Sequence, residues 1–507
     1  MPGNPNRVAP HGAWAWPAWS FAACVTLGLT IFAAIWLGEL SWFGGNPPID
    51  NLEQLAWVRS LEWGYYKHPP VPTWVLWPVV HILGLRPLST YVLGAGVTLS
   101  AMSVYTALLT YMRGRSYASV ALMAALCITY YNGRLHFYNH NTVLMLCVVA
   151  AAAACWQALR TRRLYWWLLL GLSLGLGSLS KYQITVTGLC ILVVWLQQRG
   201  WRDPMHRTGL LSALLIALLM VVPHLYWLAA NDFGPVHYAM NSSLGVDMMP
   251  VARLTHVANW LLDVVMNRML PAWLLLGFAI VAVPARAQPS VQAGSRPQLA
   301  TGPVDLERSL LWSFGIVPLL FMPAVGLVFG SELQLQWGTA FVPFAVPAVM
   351  ELWAWYRGEL RLRVRRAAMA FAALQMLLLA VNMCTSVKGP ESMQSHHWHQ
   401  FPTDRLAQSL GGQARSALGG PIQIVEGPGL VAEALSVRWN EHPLVMIDGN
   451  DAISPWIDAS ARVHCPRLVL RQDPRLVGPD WRLADESVPG LYWRVAPPLD
   501  ARMPCRT

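Results

Sequence analysis

Apolar runs long enough to compete with one another for a bilayer constrain this chain more than any other feature of it. A helix needs about 20 mainly apolar residues to cross the hydrocarbon core. Runs of that order, some shorter, fall at 14–37, 91–112, 118–131, 142–159, 166–180, 184–197, 210–230, 270–283, 309–329, 338–355 and 367–386. They predict a mainly α, polytopic membrane protein with about 11–13 transmembrane helices. Only 12% of the residues are charged and 55% are hydrophobic, about half the charge density of a soluble domain. The formal charge of +10 does not point to nucleic acid, because the basic residues form short clusters between apolar runs rather than one polar face.

Those clusters orient the chain. Arg7, Arg113/Arg115, Arg160/Arg162/Arg163, Arg199/Arg202/Arg207, Arg286/Arg296/Arg308 and Arg357 through Arg366 occupy one set of loops. The alternate set holds Arg59, Lys67, Arg86, Arg134, Lys181, Arg253 and Arg268 and is rich in aromatic and amide side chains. Excess basic charge marks the cytoplasmic side, so the N-terminus is expected in the cytoplasm and the chemically varied loops outside. The assignment requires 71–85, which contains Pro72 and Pro78, to be an interfacial helix rather than a span. The run at 14–37 is longer than a signal-peptide core and lacks a small-residue cleavage site, so it reads as a retained first helix.

Residues 1–386 therefore read as a membrane domain with a long first outer loop at 39–90, and 387–507 as a small α/β domain outside the membrane. In the latter, "PIQIVEG", "HPLVMID" and "PRLVLRQ" are short apolar stretches bounded by turn residues, the pattern of strands. Residues 284–303, rich in Ala, Gln, Pro and Ser, read as a cytoplasmic linker. Six of the eight cysteines lie in apolar runs. Cys465 and Cys505 fall in polar sequence and would pair on an oxidising side.

The first outer loop, "NPPIDNLEQLAWVRSLEWGYYKHPPVPTW", carries the densest chemistry. Leu52, Leu55, Ala56 and Leu61 are spaced for an amphipathic helix along the membrane surface. Asp50 with Glu53 three residues on fits a capping box, and equally fits a carboxylate that deprotonates a hydroxyl beside the bilayer. Lys67 and His68 fit snorkelling anchors, with Trp63, Tyr65 and Tyr66 as an aromatic belt. They also fit a cationic grip on a lipid phosphate, stiffened by Pro69–Pro70. Lysine occurs only at Lys67, Lys181 and Lys388 among 36 basic residues, and two of these fall in outward loops. "SHHWH" places His396, His397 and His399 together; with no cysteine nearby, acceptor or structural contacts fit them better than zinc.

From Asp50 to Pro70 the chain resembles the first periplasmic loop of bacterial family-39/83 glycosyltransferases, relatives of protein O-mannosyltransferases and of the lipid A aminoarabinose transferase. "FYNHNTVL" (137–144), "GLGSLSKY" (175–182), "PHLYWLAANDF" (223–233), "QWGTAFVPF" (336–344) and "SPWID" (454–458) are similar to later segments of that family in the same order. The resemblance implies a GT-C fold and transfer of a sugar from a polyprenyl-phosphate carrier to a glycolipid or envelope glycan, lipid A or lipopolysaccharide core among them, at the outer face of a bacterial inner membrane. It implies Asp50 as the catalytic carboxylate and Lys67 or His68 as the donor-phosphate ligand; Lys181 and Arg134 are the other outward cations available to that phosphate. Glu53, Tyr65, Tyr66, Asn139, His140, Asn141 and Tyr182 would line the substrate cavity. The sequence departs from the family at Asn51 and Asn141, where acidic residues are usual, and His68 stands where the phosphate-binding Lys before Pro is usual.

This mechanism calls for no metal, although a divalent cation stays open. Lys67, His68, Lys181 and Arg134 would supply positive charge to the departing phosphate and Asp50 would accept the acceptor's proton. Tyr182, Trp227 and Trp337 fit an interfacial belt better than sugar stacking. Two other classes remain: a lipid or solute transporter, which would bury ionisable residues mid-helix, and a non-catalytic relative that binds prenyl lipid.

Overall fold

The computed structural model describes residues 18–244, 248–281, 305–357, 360–394, 397–500 and 505. The 284–303 linker and His396 lie outside them. The described parts of the apolar runs fall mainly on helices. In chain order these are α1 (Ala18–Phe43), α2 (Ile49–Trp57), α3 (Val71–Leu83), α4 (Pro87–Arg113), α5 (Arg115–Leu126), α6 (His140–Thr161), α7 (Leu164–Ser178), α8 (Thr185–Gln197), α9 (Pro204–Ala230), α10 (Gly234–Ala239), α11 (Pro250–Leu261), α12 (Leu270–Ala279), α13 (Leu306–Phe329), α14 (Ala345–Arg357) and α15 (Val364–Thr385).

Among the described residues, six helices are long and apolar enough to cross a membrane: α1, α4, α6, α9, α13 and α15. The pair 250–268 and 270–279, bent by 49°, makes a seventh if taken as one span. The expected eleven or more full spans are thus too many. Helices such as α5, with 12 residues, rise only about 18 Å at 1.5 Å per residue, well short of a core about 30 Å thick. Helix α3 has 13 residues and is likewise too short to span.

Local chemistry sets where the helices stop. Helix α4 opens with Pro87 in its first turn and ends at Gly114, whose φ of +87° no side-chain-bearing residue readily adopts. Helices α7 and α9 pack through small residues: a Cβ on Gly171 would lie 2.5 Å from the Ala213 carbonyl oxygen, a close backbone approach of the kind that joins helices in lipid. The sides of α1 and α9 that carry Leu27, Ile31, Leu214 and Leu218 are exposed, as lipid-facing surfaces are.

Past α15 the chain forms α16 (Thr403–Leu418), α17 (Gly429–Arg438) and α18 (Ala459–His464) around a sheet. The three predicted strands are β3 (Ile424–Gly427), β4 (Leu444–Ile447) and β5 (Arg467–Arg471), following the two-residue pair β1 (Ile280–Val281) and β2 (Arg361–Leu362). With β6 (Arg482–Leu483) and β7 (Tyr492–Ala496) the order is β4-β3-β5-β7-β6; β4, β3 and β5 are parallel, and β7 and β6 antiparallel. Cys465 and Cys505 are disulfide-bonded.

Helix α2 does not lie on a surface. Residues Asn51 through Trp57 are all buried, because α17, α3 and α4 all pack against the helix. Trp57 and Tyr65 of the first loop join Leu406, Leu410, Trp439 and Trp456 in one apolar cluster. The first loop and the C-terminal domain therefore share a core.

Candidate active site

Helix α2 begins behind Pro48, and no side chain caps it. Asp50 is in the first helical turn, where the helix dipole favours a carboxylate, and the capping box with Glu53 does not form. Asn139 caps α6 instead: its Oδ1 accepts from the backbone N–H groups of Asn141 (2.9 Å) and Thr142 (3.1 Å). Its Nδ2 donates to Asp50 Oδ2 at 2.6 Å. Asn51, where the family resemblance implies an acid, makes its bonds elsewhere than to Asp50. It donates to Thr90 Oγ1 (2.8 Å) and the His136 carbonyl (2.9 Å) and accepts from the Tyr138 N–H (3.0 Å). A buried amide with three bonds holds the 136–138 loop onto α2, a task a carboxylate, having no N–H, does not perform.

A cavity of about 540 Å³ opens beside Asp50 and is lined by Glu53, Lys67, His68, His140, Lys181 and Tyr182 among others. Lys67 is not a bare cation. Its ammonium is ion-paired with the buried Glu53 carboxylate and lies over the Tyr66 and Tyr238 rings at 5.2 and 5.3 Å. Burial pulls Lys67 down, but Glu53 and Tyr66 hold it above the ordinary lysine value. Burial pushes Glu53 up to about 7 against the attraction of Lys67. Lys181 has no carboxylate within ion-pair distance among the described residues; its Nζ donates to Asn141 Oδ1 at 2.7 Å. Burial lowers its ammonium to about 7, while the Asp50 carboxylate opposes the shift. His68, expected as a cation, is neutral near pH 7: burial, then Lys181 and Lys67, hold its imidazolium far below the usual range. Its ring lies against that of His140, with centroids 3.6 Å apart.

A second cavity, of about 330 Å³, also borders Asp50 and is lined by Arg134, Asn139, Asn141, Tyr130, Gln336 and His399 among others. Ile49, Asp50 and Gln336 line both cavities. The structure therefore brings Lys67, His68 and Lys181 together but sets Arg134 apart from them. Tyr65 and Tyr66 line neither. Tyr65 stacks on Trp57 at 4.9 Å and donates its hydroxyl to the Ser60 carbonyl at 2.7 Å, so both serve the contact with the C-terminal domain.

Several residues at the site went unrecognised in the sequence. His224, buried in α9, faces the Tyr182 hydroxyl at 2.8 Å through Nε2 and the Trp63 carbonyl at 2.6 Å through Nδ1. The carbonyl fixes the tautomer, so Nδ1 donates and Nε2 accepts. Gly64 follows because a Cβ there would stand 2.4 Å from the Trp227 ring. Glu433 of α17 is buried close enough to feel Glu53 and Lys67, and burial holds its carboxyl well above the usual range. No local pattern marks Glu433, whereas His224 and Gln336 stand in the segments 223–233 and 336–344 that carry the family resemblance. His397 and His399 line the second cavity, with His399 Nδ1 2.8 Å from the Asn46 carbonyl. Among the described residues no three His, Cys, Asp or Glu side chains group as a metal site.

Residues 67–227 match the family described as dolichyl-phosphate-mannose-protein mannosyltransferase. The chain is 25% identical over 191 residues to the lipopolysaccharide core galacturonosyltransferase RgtA of Rhizobium johnstonii, covering 36% of this chain and 37% of that protein. It is 24% identical over 239 residues to RgtB of the same organism, covering 41% and 46%. The matches thus span less than half the length of either relative. In fold it is similar to ArnT from Cupriavidus metallidurans bound to undecaprenyl phosphate, with a TM-score of 0.61 at 14% identity over 94% of this chain and 98% of that one. The apo form of ArnT gives 0.59 at 15% identity over 90% and 94%. The family match thus covers about a third of the chain, and the likeness to ArnT along almost its whole length is one of fold.

Proposed function

We propose that the protein transfers a sugar from a polyprenyl-phosphate carrier to a glycolipid or envelope glycan, lipopolysaccharide core being the favoured acceptor, on the periplasmic side of a bacterial inner membrane. One observation carries the reading: Asp50 stands in the wall common to two cavities, one of which holds Lys67 and Lys181. The donor phosphate sits beside Lys181 and the Lys67–Glu53 pair, and the acceptor hydroxyl reaches Asp50 from the other cavity. Asp50 Oδ2 is engaged by Asn139, so Oδ1 takes the hydroxyl proton as the oxygen bonds to the anomeric carbon. The bond from that carbon to the phosphate oxygen breaks, and the electron pair leaves on a prenyl phosphate stabilised by Lys181. The names of RgtA and RgtB support the acceptor class, and the undecaprenyl phosphate bound by ArnT supports the donor class. The arginine-rich loops and the Cys465–Cys505 disulfide support a periplasmic site and C-terminal domain.

The test is mass spectrometry of lipopolysaccharide from a deletion strain complemented with wild type or Asp50→Asn. A sugar-sized mass increment restored by wild type and not by the variant is expected. An envelope glycan profile identical in all strains would refute transfer.

A further inference from the structure

The cavity on the Arg134 side has a feature that sugar transfer alone does not require. Arg134 comes from the 127–139 loop between α5 and α6 and is half-buried in the cavity wall. Its guanidinium rests over the Phe137 ring at 5.3 Å, and no carboxylate among the described residues pairs with it. The carboxylate that could have done so, Asp263, is taken by Arg268 at 3.0 Å and Asn267 at 2.9 Å. Tyr130 and Tyr131 donate their hydroxyls to the Leu335 and Thr339 carbonyls, so they offer no proton to a ligand. A guanidinium presents a planar fork of N–H donors that matches a carboxylate or phosphate in two parallel bonds. Asp50, the one carboxylate lining the same cavity, repels such a group, so the anion settles at the Arg134 end with a neutral hydroxyl toward Asp50.

We propose that this cavity is an anion-recognising acceptor subsite: Arg134 binds a carboxylate or phosphate on the acceptor and so presents a neighbouring hydroxyl to Asp50. The inference rests on the transferase reading for the identity of the acceptor, but the site can be measured without a donor. It also separates the cations by task, Lys181 and Lys67 serving the donor and Arg134 the acceptor.

The experiment uses the full-length protein in lipid nanodiscs and the lipid-free core oligosaccharide of lipopolysaccharide in three forms: intact, carboxyl-reduced and dephosphorylated. Wild type is expected to bind the intact form and to lose about tenfold or more in affinity on one of the two treatments, which names the anion. Arg134→Gln should lose a similar factor on the intact form and be insensitive to that treatment, and Arg134→Lys should recover part of the loss. Undecaprenyl phosphate should bind wild type and Arg134→Gln equally, within about twofold, which also shows the variant is folded. Equal binding of intact oligosaccharide by wild type and Arg134→Gln would overturn the proposal. So would wild type that binds none of the three forms, or a loss of undecaprenyl phosphate affinity in Arg134→Gln. Sugar transfer that fails while this binding pattern holds would sink the transferase reading and leave the anion subsite standing.

Discussion

Asn139 joins two parts of the fold with one side chain: its Oδ1 caps α6 while its Nδ2 donates to Asp50 Oδ2 at 2.6 Å. The orientation of the carboxylate is thereby tied to the start of a membrane-spanning helix rather than to a mobile loop. Asn51, next to Asp50, pins the 136–138 backbone to α2, so the two loops register against each other at both neighbouring positions. Asn51 and Asn141, where the family resemblance leads one to expect acids, are amides that hold this scaffold together: Asn51 through the loop, Asn141 through Lys181.

Asp50→Asn keeps the volume and removes the proposed base. Transfer should fall by about 10²–10⁴-fold, the range of a lost general base, with undecaprenyl phosphate binding unchanged. Asn139→Ala should lose both activity and about 1 kcal/mol of stability through the missing cap. Single-turnover kinetics with thermal unfolding check both, and an Asp50→Asn variant of full activity would remove Asp50 from the chemistry.

Donor affinity should depend on pH through Lys181. Its ammonium titrates near 7 because burial disfavours the charge, whereas a phosphodiester donor stays singly anionic across this range. Below about 7 the cation is present and binding is full; above it, each added pH unit should raise the donor KM by up to about tenfold until the pKa of the bound state is reached. Glu53 titrates in the same window, and its protonation leaves Lys67 uncompensated, an effect of the same sign. The two separate in the variants: Lys181→Met should have a high KM with a shallow pH profile, and Glu53→Gln should keep the rise above 7.

What the sequence discloses depends on how far a contact reaches. The strands at Ile424–Gly427, Leu444–Ile447 and Arg467–Arg471 are legible because apolar runs bounded by turn residues are local signals. So is the grouping of Asp50 with Lys67 and Lys181 once the family pattern is seen. The number of spans is not legible, because hydropathy measures apolarity and not unbroken helix length. The neutrality of His68, the pairing of Lys67 with Glu53 and the separation of Arg134 from the lysines arise from burial and from loops meeting across large sequence distances. Glu433 has no local signature at all, and His224, although it lies in the 223–233 segment, gains its role only by meeting Tyr182 and Trp63.

The Glu53–Lys67 pair should show strong coupling. Glu53→Gln leaves a mostly buried ammonium without its counter-charge and Lys67→Met leaves a buried carboxylate, each at a cost of about 3–5 kcal/mol. The double variant removes both charges and should be less destabilised than the sum of the singles by at least about 1 kcal/mol. Additive losses in thermal or denaturant unfolding would mean that the pair contributes nothing as a pair.

Trp57 offers a test of the shared core. It is fully buried, stacks on Tyr65 and packs with residues of the C-terminal domain, while its indole N–H has no hydrogen-bond partner. Trp57→Ala should therefore cost about 3–5 kcal/mol through the cavity it leaves and loosen the C-terminal domain from the first loop. Trp57→Phe gives up no hydrogen bond and should cost less than about 1.5 kcal/mol. Limited proteolysis reads the difference: cleavage between α15 and α16 should accelerate in the alanine variant and stay near wild type in the phenylalanine one. Because α2 carries both Trp57 and Asp50, the alanine variant should also lose transfer activity without losing undecaprenyl phosphate binding at the proposed donor site. Unchanged proteolysis and activity in Trp57→Ala would show that the two domains hold the active-site helix by other contacts.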